Sequence, residues 1–211
     1  MNNRRQTVFD GVFADNTVLS AFMIVSPVII CGDTMSNAIA LICAFSVITF
    51  ASVILASFVP KKLPYALRII SYAVISSVIY IPVRYAANDI SPEAVGRIGI
   101  YFPLLAVNSL IVLQTEARFF RMKRIKMIFS LLFYIIGFDA VMVLTAFIRE
   151  LLAYGTINSR IVDAKIIISG VGQPFGGFIF LGLLCGIYRM IRSSLKRDPG
   201  TVRGDEDVSG I

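Results

Sequence analysis

The chain contains no histidine. That absence removes the usual proton shuttle near neutral pH and the commonest metal ligand. It excludes His-based zinc sites and His-ligated haem. Cysteine is scarce: Cys31, Cys43 and Cys185 stand in apolar surroundings without CxxC spacing. They read as buried structural thiols rather than ligands. Charge is sparse too, at 16% of residues. No Walker motif, GxGxxG, nucleophile elbow or metal-ligand cluster occurs, so no catalytic residue is identified. No cleavable signal peptide is expected, because the first apolar run follows a polar, acidic stretch from Asp10 to Asn16.

What the chain has is apolar length. It is 57% hydrophobic over 211 residues, with a mean hydropathy of +0.81. These values place it in the membrane as a single domain with no soluble module. Six apolar segments stand out, at about 17–31, 36–59, 66–87, 97–114, 127–148 and 172–192. The second, third, fifth and sixth are long enough to cross a hydrocarbon core of about 30 Å. The first and fourth are shorter and carry prolines, in Ser26-Pro27-Val28-Ile29-Ile30 and Phe102-Pro103-Leu104-Leu105-Ala106. Each runs on into polar residues, Gly32-Asp33-Thr34 and Asn108-Ser109. Interrupted segments in corresponding halves point to inverted repeats with a functional site near the midplane.

The expected fold is therefore all-α. It is a polytopic membrane protein of six segments in two inverted three-helix repeats, broken near Pro27 and Pro103. The repeats cover about 10–90 and 91–195 of one transmembrane domain, 1–197. Residues 198–211 are expected to form a disordered cytoplasmic tail. Basic residues favour one side by about three to one, with Arg118–Lys126 the densest run, when both termini are cytoplasmic. In a membrane chain the net charge of +7 reports loop topology, not nucleic acid. The Arg118–Lys126 cluster reads first as a topology determinant and second as a site for anionic headgroups. Expected surroundings are a bacterial-type inner membrane and its lipid bilayer.

Several residues are candidates for chemistry. Ser26 and Ser109 either line a midplane site or satisfy backbone groups freed by the helix breaks. Asp139 is an acidic residue deep in a long span. It binds an ion or relays protons, or it makes a structural hydrogen bond. Asp33, with Thr34 and Asn37, caps the second helix or lines a site, and Asn108 follows the second break. Arg149-Glu150 is expected to end the fifth span as an interfacial ion pair. Gly182 and Gly186 form a GxxxG that permits close helix approach.

These motifs resemble a family. Asp10-Gly11-Val12-Phe13-Ala14-Asp15-Asn16 is similar to an N-G-L-W-x-N-N opening, and Ser26-Pro27-Val28-Ile29 to C-P-L-L. Thr34 and Asn37 fall on T-x-x-N. Phe102 to Ser109 resembles I-P-L-I-V-T-N-C, followed by Glu116-Ala117 for E-A. Phe147-Ile148-Arg149-Glu150-Leu151-Leu152-Ala153-Tyr154-Gly155 resembles F-F-R-E-L-L-G-S-G. The chain thus resembles the six-helix membrane subunits of the Rnf and Na⁺-translocating NADH:quinone oxidoreductase (Nqr) complexes, in the RnfE/NqrD branch. The resemblance implies a subunit of an ion-translocating electron-transport complex. Its partners would be a sister six-helix subunit of the RnfA/NqrE type, or a second copy, and the complex's other chains. It also implies a [2Fe–2S] cluster shared with the sister subunit, whose two cysteines from this branch fall on Ser26 and Ser109. The family's D-G near the start of the fifth span falls on Ser130-Leu131, and Asp139 replaces a small or uncharged residue. No cofactor is therefore expected from this chain's own ligands. A divergent solute or ion transporter on the same scaffold is the alternative.

Overall fold

The computed structural model describes residues 16, 18–19, 25–60, 62–90, 92–108, 110–117, 123–157, 160–162 and 168–196. The segments expected as long spans are helices: α2 (Met35–Ala56), α3 (Tyr65–Ile90), α7 (Arg124–Tyr154) and α8 (Pro174–Lys196). All four are long and apolar enough to cross a membrane. Their apolar side chains need no polar partners, and intrahelical bonds satisfy the backbone.

The remaining helices are short. The described part of the first segment is α1 (Val25–Cys31), followed by Gly32-Asp33-Thr34 before α2. Residues 20–24 of that segment lie outside the described residues, as do Ser109 and the tail 198–211. The fourth segment is α4 (Pro92–Ile98), α5 (Tyr101–Leu104), a 3₁₀ turn at Leu105–Val107, a π-helical turn at Leu110–Gln114, and α6 (Thr115–Ala117). Pro92–Ile98 and Tyr101–Val112 meet at 80°, the geometry of a broken span or of a re-entrant loop.

The break in this segment does not fall at Pro103. It falls at Gly99, whose φ of +53° suits glycine, and again at Asn108, which is extended. Pro103 is the third residue of α5. Its missing N–H falls in the first turn, where helices lack intrahelical partners anyway. Helix α3 runs through the polar Asn88 and Asp89 to Ile90, leaving a short connection to α4.

Helix α2 packs against both α3 and α7. The α2/α7 pair is antiparallel. Glu150 meets Met35, Phe138 stacks on Phe45 with ring centroids 4.0 Å apart, and Arg124 lies 4.6 Å from the Phe58 ring. Half of α7's most apolar window is buried, against 11% of α3's, so α3 presents most of its apolar surface outward. Two elements depart from an all-helical chain: β1 (Thr156–Ile157) and β2 (Arg160–Ile161) pair as a short antiparallel ribbon after α7. Gly155, at φ +63°, closes α7 and starts that ribbon.

The glycines of α8 differ in what they meet within this chain. Gly182 and Gly186 are exposed, and an added Cβ at either would meet nothing within 4 Å. On α8 the close approaches are made by Gly176, where a Cβ would meet the Gly170 and Val171 backbone, and by Gly177. A Cβ at Gly177 would lie 2.9 Å from Arg149 Cζ and 3.0 Å from Ile29 Cγ2. Of the thiols, Cys31 and Cys185 are buried as expected, but Cys43 is exposed. It lines a groove of about 400 Å³ between α2 and α3, with Ile39, Val47 and Val83.

Candidate functional site

The gap between α1 and α2 leaves two unfinished helix ends. Carbonyls at the end of α1 lack intrahelical donors, and amides at the start of α2 lack acceptors. Two consecutive residues of α7 supply the missing charges. Arg149, fully buried, donates from Nη1 to the Ile29 carbonyl of α1. Its Nε donates to the Val171 carbonyl at 3.0 Å, and Nη2 to those of Gly172 at 3.2 Å and Gln173 at 3.4 Å. Glu150 Oε2 accepts from the Met35 amide at 2.6 Å, and Oε1 from Thr156 Oγ1 at 3.0 Å. A cation thus meets the negative end of α1, and an anion meets the positive end of α2. The pair expected to bond to each other at the interface is instead buried, with each member serving a different helix end.

Asp33 completes the break. Its Oδ1 accepts from the Thr34 amide at 2.8 Å and from Asn37 Nδ2 at 3.1 Å. Thr34 is the N-cap of α2 and makes no side-chain capping bond. Asp33, Thr34 and Asn37 are therefore brought together, with Arg149 and Glu150 beside them. Ser26 is on α1 but exposed, and it is not part of this cluster.

Buried asparagines anchor both halves. Asn108 donates from Nδ2 to Thr49 Oγ1 at 3.1 Å and to the Leu105 carbonyl at 2.9 Å, and accepts from the Ile111 amide. Asn16 is used in the same way. Its Oδ1 accepts from the Val18 and Leu19 amides, and its Nδ2 donates to the Gly137 carbonyl at 2.9 Å. Sequence reasoning did not single out Asn16, although an asparagine before an apolar run is an ordinary helix-start signal. Glu116, quoted only as part of a motif, fastens the end of the fourth segment. It accepts from Arg68 Nε at 2.9 Å, Arg68 Nη2 at 2.8 Å and the Tyr72 hydroxyl at 2.7 Å. Burial raises its carboxyl, but the bonds from Arg68 and Tyr72 outweigh this and hold it below the ordinary carboxylate range.

Asp139 stands apart from the break, on the α2/α7 seam, where Ser46 Oγ donates to its Oδ2 at 2.9 Å. Among the described residues, no group of three or more His, Cys, Asp or Glu side chains is placed to hold a metal ion. The donors at the positions implied for a [2Fe–2S] cluster do not fit one. Such clusters take soft thiolates. Ser26 offers a neutral hydroxyl, Ser109 is also serine, and Cys31 turns into the protein core.

The comparisons agree with this architecture. The family model described as "Rnf-Nqr subunit, membrane protein" matches residues 5–185. The chain is 27% identical to a subunit of the ion-translocating oxidoreductase complex of Shewanella loihica, over 93% of this chain and 91% of that one. It is 27% identical to the like-named chain from Shewanella oneidensis, over 95% and 94%. A third chain of that name, from Shewanella sp. (strain W3-18-1), is 26% identical over 99% and 97%. With a match running from Arg5 through both helix breaks to Cys185, this chain belongs to the Rnf-Nqr family of membrane subunits.

Proposed function

We propose that this chain is an integral membrane subunit of an ion-translocating electron-transport complex, and that it supplies no ligand to a [2Fe–2S] cluster. The observation that carries the reading is an intact scaffold with exchanged donors. The family match spans residues 5–185, while both cluster positions are serines. A half-thiolate site binds iron weakly, because neutral hydroxyls bring no charge to offset ferric iron. The chain would stand beside a sister six-helix subunit, in a bacterial inner membrane, as six segments in two inverted repeats. The transporter alternative has less support. The half-helix ends that a solute would occupy already hold Arg149 and Glu150.

The test is purification in mild detergent, with identification of the accompanying chains and an EPR spectrum. Flavin- and iron–sulfur-carrying chains should co-purify. The spectrum of a preparation stripped to the membrane subunits should lack a [2Fe–2S] signal. Ser26→Cys with Ser109→Cys is expected to introduce one when a cysteine-bearing sister subunit is present. A signal from the unmodified chain that disappears on Ser26→Ala would overturn the proposal.

Topology has its own check. In a Cys43→Ser background, Ile90→Cys is expected to react with a membrane-impermeant maleimide in intact cells. Lys62→Cys should react only after lysis. The opposite pattern would place both termini outside.

A further inference from the structure

We propose that Asp139, paired with Ser46, is a site that binds and releases a proton at the centre of the membrane. The inference goes beyond the complex reading and does not rest on it. Position carries the first part. Asp139 is 15 residues from Arg124 and 15 from Tyr154, the two ends of α7. Ser46 is 11 residues from Met35 and 10 from Ala56, the ends of α2. At 1.5 Å per residue, the carboxyl lies roughly 20 Å from the ends of α7. Both helices are long and apolar enough to span.

Chemistry carries the second part. Oδ2 accepts from Ser46 Oγ. Oδ1 is buried and has no hydrogen-bond partner among the described residues. A carboxylate left this way costs a few kcal/mol in hydrocarbon, and a buried unsatisfied oxygen calls for an occupant. No charged side chain on α2 or α7 stands near it. On α7 the nearest in sequence are Arg149 and Glu150, ten and eleven residues on, and Lys126, thirteen back. The titratable groups on neighbouring turns are Cys43, three residues before Ser46, and Tyr134, five before Asp139.

A proton suits this site better than a metal cation. Hard divalent cations such as Ca²⁺ and Mg²⁺ are held by about six or more oxygens. Here one carboxylate and one hydroxyl are offered, and the helical carbonyls around them are engaged in backbone bonds. Proton binding adds H⁺ to one carboxylate oxygen and cancels one negative charge; no electron moves. The side chain is half-buried at the edge of the seam, which leaves it a route to a hydrophobic reagent.

The experiment treats the full chain, purified with its accompanying chains, with dicyclohexylcarbodiimide between about pH 5 and pH 9. The reagent adds to protonated carboxylic acids and leaves an N-acylurea that mass spectrometry locates. Asp139 should be modified at low pH and less so as pH rises. Ser46→Ala removes a hydrogen bond to the anion, so it should raise proton affinity about tenfold and move the midpoint up about one pH unit. Infrared spectroscopy supplies a reagent-free readout, a protonated-carboxyl band lost on Asp139→Asn. Three results would each overturn the proposal: no modification and no band at any pH, a midpoint unmoved by Ser46→Ala, or labelling displaced by sodium ions at constant pH.

Discussion

Replacing Arg149 with alanine is expected to remove about 3–5 kcal/mol of stability, the range seen when one partner is deleted from a buried charged network. The variant strands the carbonyls of Ile29, Val171 and Gly172, while that of Gln173 keeps the Gly177 amide. It also removes the cation that interacts electrostatically with Asp33 at the same break. Arg149→Lys keeps the charge but loses the planar fork that reaches several carbonyls at once, so an intermediate loss is expected. Thermal unfolding in detergent, together with the amount of chain recovered from membranes, measures both. A wild-type unfolding midpoint for Arg149→Ala would show that the buried guanidinium holds nothing together.

The second large effect is expected at Gly177. An alanine there places a methyl group 2.9 Å from Arg149 Cζ and 3.0 Å from Ile29 Cγ2. Helix α8 must then move away from α1 or displace the guanidinium, at a cost of about 1–3 kcal/mol. Gly182→Ala is the control. Its Cβ meets open space, and alanine is the better helix former by about 0.8–1.0 kcal/mol. The double variant Arg149→Ala/Gly177→Ala should lose less than the sum of the two losses, because the clash at Gly177 needs the guanidinium. Unfolding midpoints of the wild type and the four variants decide it. Equal midpoints for Gly177→Ala and Gly182→Ala would refute the close-packing role.

Hydropathy alone located α2, α3, α7 and α8, with ends a few residues from those observed. An apolar run of that length has few other ways to satisfy its backbone in lipid. The same reasoning ended α7 too early. Arg149 and Glu150 looked like an interfacial boundary because a window average treats charge as a cost. Their partners, Ile29 and Met35, are 120 and 115 residues away, and no local pattern carries that information. Proline misled in the fourth segment for a related reason. Pro103 removes a donor that a first helical turn does not use, and the real bend belongs to Gly99. GxxxG at Gly182 and Gly186 faces open space within this chain, whereas Gly177 makes a close contact without that spacing. Asp139 was legible as an anomaly, but Ser46, 93 residues away in sequence, was not.

The cage around Arg149 also has a consequence for biosynthesis. The ribosome emits Ile29 long before Arg149, 120 residues later. At about 5–20 residues per second, the wait is roughly 6–24 s. The rest of the cage, Val171 to Gln173, follows later still. During that interval α2 and α3 can insert and pack, but the Ile29 carbonyl of α1 lacks its Arg149 donor. The first of the described helices is thus secured at its end only after the chain has been made through Gln173, and a nascent chain cut short before Arg149 lacks the side chain that closes the α1 end.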